Sequence, residues 1–139
     1  MAVRPYLTFT GNCRDAFTRY QQVFGGELVV MSTSDLPAEA GPAPEGADPN
    51  SVMHAQLEFA DGVLMGADDV SGGFQGTVDG MCVNCSLPDT TEAKRVFDAL
   101  AEGGQIQMPI GETFFAPAFG LCTDRFGTPW MIMVDRPMS

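Results

Sequence analysis

Basic residues are scarce: Lys and Arg number 7 against 18 Asp and Glu in 139 residues, a formal net charge of −11. Nucleic acid and anionic membrane both recruit a Lys/Arg surface, so neither is an expected partner. Acidity favours solubility and draws cations at long range, but it selects no fold. Long apolar runs are also missing; none approaches the ~18 residues of a membrane-spanning helix. The opening Met1-Ala2-Val3-Arg4 lacks the hydrophobic region of a signal peptide, and a cytoplasmic location is expected. Cysteine is sparse, with only Cys13, Cys82, Cys85 and Cys122. That is too little for a disulfide scaffold, and a chain of this length needs none, so free thiols are expected.

What the chain does have is a globular balance, 45% hydrophobic and 18% charged, and a pattern that occurs twice. Residues 5–10 are β-rich and are broken by Gly11-Asn12. Ala16, Phe17, Tyr20, Val23 and Phe24 then form a helical stripe that stops at Gly25-Gly26, before a strand over residues 27–31. Residues 80–85 are again strand-like. Asp89 and Glu92 open a second helix in the manner of a capping box. Its stripe is Ala93, Val96, Phe97, Leu100 and Ala101, and Gly103-Gly104 ends it before a strand over 105–108.

The two helices start about 77 positions apart (Asp15-Ala16 against Glu92-Ala93), and their double glycines lie 78 apart. A strand pair closes each half: 52–59 with 63–68 around Asp61-Gly62, and 115–123 with 129–134 around residues 124–127. The expected fold is α+β, two βαβββ modules in one domain spanning 1–139, with module 1 at about 1–70 and module 2 at about 76–139. Residues 34–50, with Pro37, Pro42, Pro44 and Pro49, can hold neither helix nor sheet and read as a long loop, either a connection or a flap over a site. Residues 71–76 read as the hinge between the modules.

A duplicated βαβββ chain of this length resembles the vicinal oxygen chelate superfamily, which includes glyoxalase I, bleomycin-resistance proteins and extradiol dioxygenases. More narrowly, Pro5-Tyr6-Leu7 with Gly11-Asn12, Tyr20 with Val23-Phe24-Gly25, Met53-His54-Ala55, Leu64-Met65 with Asp68, and Asp124 with Phe126-Gly127 and Pro129-Trp130-Met131 resemble its PhnB-like branch. Members of that branch often carry the label 3-demethylubiquinone-9 3-methyltransferase. Methyl transfer is not expected here. A donor such as S-adenosylmethionine usually sits on a Gly-rich strand-to-helix turn, and no helical pattern follows Gly72-Gly73-Phe74-Gln75-Gly76.

The resemblance also implies where a metal would sit. In metal-dependent branches the first and fourth strands of each sheet supply His, Glu or Gln ligands. Aligned on that pattern, this chain places Pro5, Met65, Met81 and Met131 there. Thioethers and a proline do not hold Zn²⁺, Ni²⁺ or Fe²⁺, so no metal and no other cofactor are expected. The methionine face would also carry Val63, Ala67, Val83, Cys85 and Met133 and so line an adaptable apolar cavity, unless these residues are ordinary core.

His54 is the only side chain of a type that titrates near neutrality. Along Met53-His54-Ala55-Gln56-Leu57-Glu58-Phe59, alternation sets Met53, Ala55, Leu57 and Phe59 under the helices and His54, Gln56 and Glu58 on the other face. There His54 is a candidate ligand contact or general base, or else a hydrogen-bonded structural residue. Cys82 and Cys85 have CxxC spacing, but on a strand they point to opposite faces. Asp68-Asp69 reads as a solvated turn. Phe114, Phe115, Phe119 and Trp130 either wall a pocket or fill the second module's core.

The expected function is metal-independent binding of a small organic molecule, similar to bleomycin-resistance proteins, by a homodimer. The candidate ligand-binding residues are His54, Gln56, Met65, Met81, Phe115, Trp130 and Met131. The alternative is a superfamily enzyme (lyase, isomerase or dioxygenase) working through His54 or through metal ligands placed elsewhere; whether any reaction is catalysed stays open.

Overall fold

The double glycines explain why the pattern recurs. Each helix runs straight into a strand, and the turn between them needs two different properties of glycine. Gly25 and Gly103 both adopt φ +75°, a left-handed conformation that side chains resist. At Gly104, and at Gly26 in addition to its own φ of +94°, the constraint is space. A Cβ there would collide with the carbonyl oxygen of Glu58 or of Thr123, at the end of a neighbouring strand.

The computed structural model describes residues 1–35, 48–69 and 71–135. The chain divides into two compact units, Met1–Gly76 and Thr77–Ser139. The first contains β1 (Tyr6–Phe9), α1 (Cys13–Phe24), β2 (Glu27–Ser32), a 3₁₀ turn (Thr33–Asp35), β3 (Val52–Glu58) and β4 (Val63–Asp68). The second contains β5 (Val83–Ser86), α2 (Thr90–Ala101), β6 (Gln105–Gly111), β7 (Ala118–Thr123) and β8 (Pro129–Val134). Their sheets have the same order, β1-β4-β3-β2 and β5-β8-β7-β6. The first strand pairs parallel with the fourth in each, and the other pairings are antiparallel. This is the expected α+β arrangement of two βαβββ modules. Among the described residues, no helix is long and apolar enough to cross a membrane.

In each unit the helix covers one sheet face. Cys13, Ala16, Phe17, Tyr20 and Val23 of α1 are buried with Leu7, Phe9, Ala55, Leu57 and Leu64. Phe17 stands edge-on to Phe9 and Tyr20, at centroid distances of 6.0 and 5.5 Å, geometry worth about 0.5–1.5 kcal/mol per pair beyond simple burial. Gly66 lets α1 approach β4: a Cβ there would lie 2.9 Å from both Leu7 O and Phe17 Cε2. In the second unit Ala93, Val96, Phe97 and Leu100 are buried with Cys122, Trp130 and Ile132.

The helices start differently. The Asp89 carboxylate accepts the Glu92 amide at 2.8 Å, as a capping box requires. The reciprocal half is missing, because the Glu92 carboxylate turns to Arg95 at 2.8 Å. Asn12 makes no side-chain cap at α1. Asp68 does so from the end of β4, its Oδ1 accepting from the amides of Gly11 (3.1 Å) and Cys13 (3.0 Å). Its Oδ2 accepts the Val52 amide at 2.9 Å. Asp68 is thus not part of a solvated turn; it is 8% exposed and ties α1, β3 and β4 together. Asp69 does shape a turn, accepting from the amides of Ser71 and Phe74.

Other details depart from the sequence reading. A bulge sets Met31 opposite His54 but Ser32 opposite Val52. Met53 becomes the extra residue, and Val52 takes the fully buried position expected of it. β5 starts at Val83 rather than residue 80, after Gly80 at φ +79°. β7 starts at Ala118 rather than residue 115, because the Thr113 amide donates to Ala116 O and closes a turn. Of the predicted loop over 34–50, residues 36–47 lie outside the described residues, and residues 33–35 form the 3₁₀ turn.

Candidate functional site

Alternation along β1 sends Leu7 and Phe9 under the helix and leaves Tyr6 and Thr8 on the opposite, open face. The register then assembles a row across the sheet: Tyr6 pairs with Met65, Met65 with Gln56, and Gln56 with Val29. His54, opposite Met31, lies in the next row. Of the candidates on this sheet, His54, Gln56 and Met65 therefore share one face.

The polar side chains of that face form a chain. Tyr6 Oη lies 3.1 Å from His54 Nδ1, with the rings tilted at 33° and 5.8 Å between centroids. On the other side His54 Nε2 lies 3.5 Å from Gln56 Oε1, a long contact. With the Gln56 amide oxygen turned to the ring, the tautomer that satisfies both contacts has its proton on Nε2 and takes the Tyr6 hydroxyl on Nδ1. Burial, with the Cys13 thiol adding to it, pushes the Tyr6 phenol above its ordinary pKa and keeps it protonated. Tyr6 is still 50% exposed, and Val29 and Met31 on the opposite edge strand, β2, are exposed as well. Glu58, directly opposite Glu27, is on this face too.

The open face of the second sheet has the same layout and other chemistry. Asn84 pairs with Met131, Met131 with Leu121 and Leu121 with Met108. Ser86 pairs with Met133, and Met133 with Phe119. Phe115 covers Phe119 edge-on at 4.9 Å and touches Phe114 at 5.1 Å. The Asn84 amide donates to the Met133 sulfur at 3.2 Å.

Three placements revise the expected lining. Trp130 is 2% exposed on the helix-covered face, its Nε1 donating to Asp124 Oδ2 at 2.8 Å. Val83 and Cys85 pair with Trp130 and Ile132, so they share that covered face and not the face of Met131 and Met133. Met81 precedes β5 and is 58% exposed. The alignment that chose Pro5 and Met81 also shifts, since the residues opposite Met65 and Met131 are Tyr6 and Asn84. Pro5 lies just outside β1. Tyr6 is the one-residue shift from Pro5 in the alignment on the family pattern. The alternation of residues 6–9 sets it on the open face, and the β1–β4 register brings it to His54.

These first- and fourth-strand positions do not fit a catalytic divalent ion. Each unit offers one thioether there, beside a phenol in the first and a carboxamide in the second. Zn²⁺, Ni²⁺ and Fe²⁺ favour imidazole and carboxylate. Among the described residues, no group of three or more His, Cys, Asp or Glu is placed to hold a metal. Two of the four thiols are poor nucleophiles: burial, reinforced by Asp68 and Asp124 respectively, pushes Cys13 up to about 12 and Cys122 to about 11.

Residues 1–133 match the family described as 3-demethylubiquinone-9 3-methyltransferase. The chain is 41% identical to protein PA1353 of Pseudomonas aeruginosa, a solved structure, with 99% of each chain covered and a TM-score of 0.83. It is 36% identical to protein YjdN of Escherichia coli K12, over 98% of this chain and 97% of that protein. A putative 3-demethylubiquinone-9 3-methyltransferase, PhnB protein, from Bacillus cereus is 24% identical, with 96% and 99% covered and a TM-score of 0.76. The fold recurs in proteins described as glyoxalase-related or as glyoxalase/bleomycin resistance/dioxygenase, at 12–18% identity and TM-scores of 0.58–0.65. The repeated topology and the family match over nearly the whole length lead to one assignment: the chain belongs to the family described as 3-demethylubiquinone-9 3-methyltransferase.

Proposed function

We propose that the protein binds a small organic molecule without a metal ion, and that the open face of the first sheet recognises its polar group. The observation that carries this reading is the engagement of both His54 ring nitrogens, one with Tyr6 and one with Gln56. An imidazole so held is a fixed recognition element. A general base needs a nitrogen within reach of the substrate's proton. Met65, Val29 and Met31 beside it supply adaptable apolar contact. Methyl transfer forms no part of the proposal. The turns before the two helices, residues 10–12 and 87–89, are short and lack a Gly-rich phosphate-binding fingerprint.

A second reading, proton relay from substrate through Tyr6 to His54, is favoured by the 3.1 Å contact between them. It is opposed by the raised pKa of Tyr6, since a relay oxygen has to give up its proton readily. We also propose a homodimer, because β1, β2, β5 and β6 are edge strands of their own sheets and a second copy would protect such edges.

Metal analysis of the purified protein, followed by a thermal-shift screen of small organic molecules, tests the reading. The expected result is a metal-free protein stabilised by an organic ligand whose affinity falls about tenfold (~1.4 kcal/mol) in His54→Ala, because the imidazole that orients the Tyr6 hydroxyl and the Gln56 amide is gone. Stoichiometric Zn²⁺, Ni²⁺, Mn²⁺ or Fe²⁺ with a matching activity would overturn it. So would a His54→Ala protein with unchanged affinity.

A further inference from the structure

Resting on that reading, we infer that the first-sheet face selects a ligand that donates a hydrogen bond to Tyr6 Oη, namely a small amphipathic amine with an apolar body. The direction of the hydrogen bonds carries the argument. With Gln56 Oε1 turned to the ring, the tautomer that satisfies both contacts carries its proton on His54 Nε2, so that Nδ1 accepts the only proton Tyr6 has. The exposed phenol oxygen is left with lone pairs alone. A carbonyl or carboxylate approaching Oη meets lone pair against lone pair, whereas an N–H meets an acceptor.

The surroundings favour the same class. Met65 adjoins Tyr6 on β4, and beyond Gln56 and His54 of β3 the apolar Val29 and Met31 stand on β2. The Tyr6 ring is half exposed, so it offers its negative π-face to a cation. The charges that this face carries on β2 and β3 are the carboxylates of Glu27 and Glu58, opposite each other, and both repel an anion. The net charge of −11 acts in the same direction at longer range.

Three probes with a shared phenyl body separate donor from charge: phenethylamine, its N,N,N-trimethyl analogue, and 3-phenylpropionate. Binding is followed by NMR of the Tyr6 and His54 side chains in the full-length protein. Phenethylamine is expected to bind about fivefold more tightly than the trimethyl cation, which has lost the donor, and the carboxylate most weakly. Tyr6→Phe, a near-isosteric change at a half-exposed site, is expected to remove the preference for amine while leaving the trimethyl cation bound. The ¹⁵N shifts of His54 are expected to show the Nε2–H tautomer. Equal or tighter binding of the trimethyl cation or of the carboxylate, or an Nδ1–H tautomer, overturns the inference and leaves a ligand-binding face in place. No response of Tyr6 and His54 to any probe overturns the inference and removes this face from the proposed function as well.

Discussion

Asp68→Asn removes one charge and almost no volume, so it measures what the carboxylate contributes. Asp68 accepts three backbone amides, from Gly11, Cys13 and Val52, at 2.9–3.1 Å, and is 8% exposed. Asparagine has one acceptor oxygen. If that oxygen keeps the two helix amides, its NH₂ is forced against the Val52 N–H, donor facing donor. One charge-assisted bond is lost, the two that remain become neutral, and a buried N–H is orphaned. The expected cost is roughly 2–4 kcal/mol, or a fall of roughly 7–14 °C in Tm for a chain of this size. Urea unfolding gives the number directly, and the m-value should not change, because the unfolded surface is the same. Asp35→Asn serves as comparison; that exposed carboxylate caps Ser32 at the end of a strand and ties no distant elements. A midpoint for Asp68→Asn within about 0.5 kcal/mol of the parent would refute the reasoning and show that the amides find water or other partners at little cost.

Two further tests address the core. Gly66→Ala puts a methyl group 2.9 Å from the Leu7 carbonyl oxygen and the Phe17 ring, and is expected to cost about 1–3 kcal/mol by overpacking; unchanged stability in urea would mean that α1 moves off β4 freely. The raised pKa values of Cys13 (about 12) and Cys122 (about 11) mean that the unfolded chain loses these protons first. Their stabilising effect is therefore full below the ordinary thiol range and is lost as pH rises. Above pH ~9, stability should fall by up to about 1.4 kcal/mol per pH unit for each thiol. Unfolding followed from pH 8 to about 10.5 should show a shallower decline in Cys13→Ala, and parallel curves for variant and parent would refute the assignment. Under native conditions the exposed Cys82 should be the first thiol alkylated, read by peptide mass spectrometry.

Local chemistry made most of the fold legible. Double glycines, apolar stripes and the Asp61-Gly62 turn each carry their meaning within a few residues, and the duplication follows from their spacing. What escaped the sequence depended on contacts between distant elements. Asp68 beside Asp69 looks like any acidic turn until β4 is paired with β1 and its carboxylate reaches the start of α1. Met53 looks buried until the bulge after Met31 gives its place to Val52. Residues 80–82 look like strand because Met81 and Cys82 suit one, and only the pairing of Val83 with Trp130 sets the true start. The site follows the same rule. His54 and Gln56 were placed by alternation within β3, whereas Tyr6 became their partner only through the parallel β1–β4 register.

Because the two sheets share a register, each position on one open face has a counterpart on the other. Met65 and Met131 occupy the same place, with Tyr6 and Asn84 beside them. Gln56 corresponds to Leu121, His54 to Phe119 and Val29 to Met108. Both units carry a thioether at the fourth-strand position. The differences lie at the polar positions: an imidazole and a carboxamide in the first unit are replaced by a phenyl ring and an isobutyl group in the second. The linked polar side chains of the first face are thus Tyr6, His54 and Gln56, against Asn84 and Ser86 on the second. The second presents a polarisable surface of Met108, Leu121, Met131 and Met133, with the exposed Asn84 and Ser86 along its β5 edge.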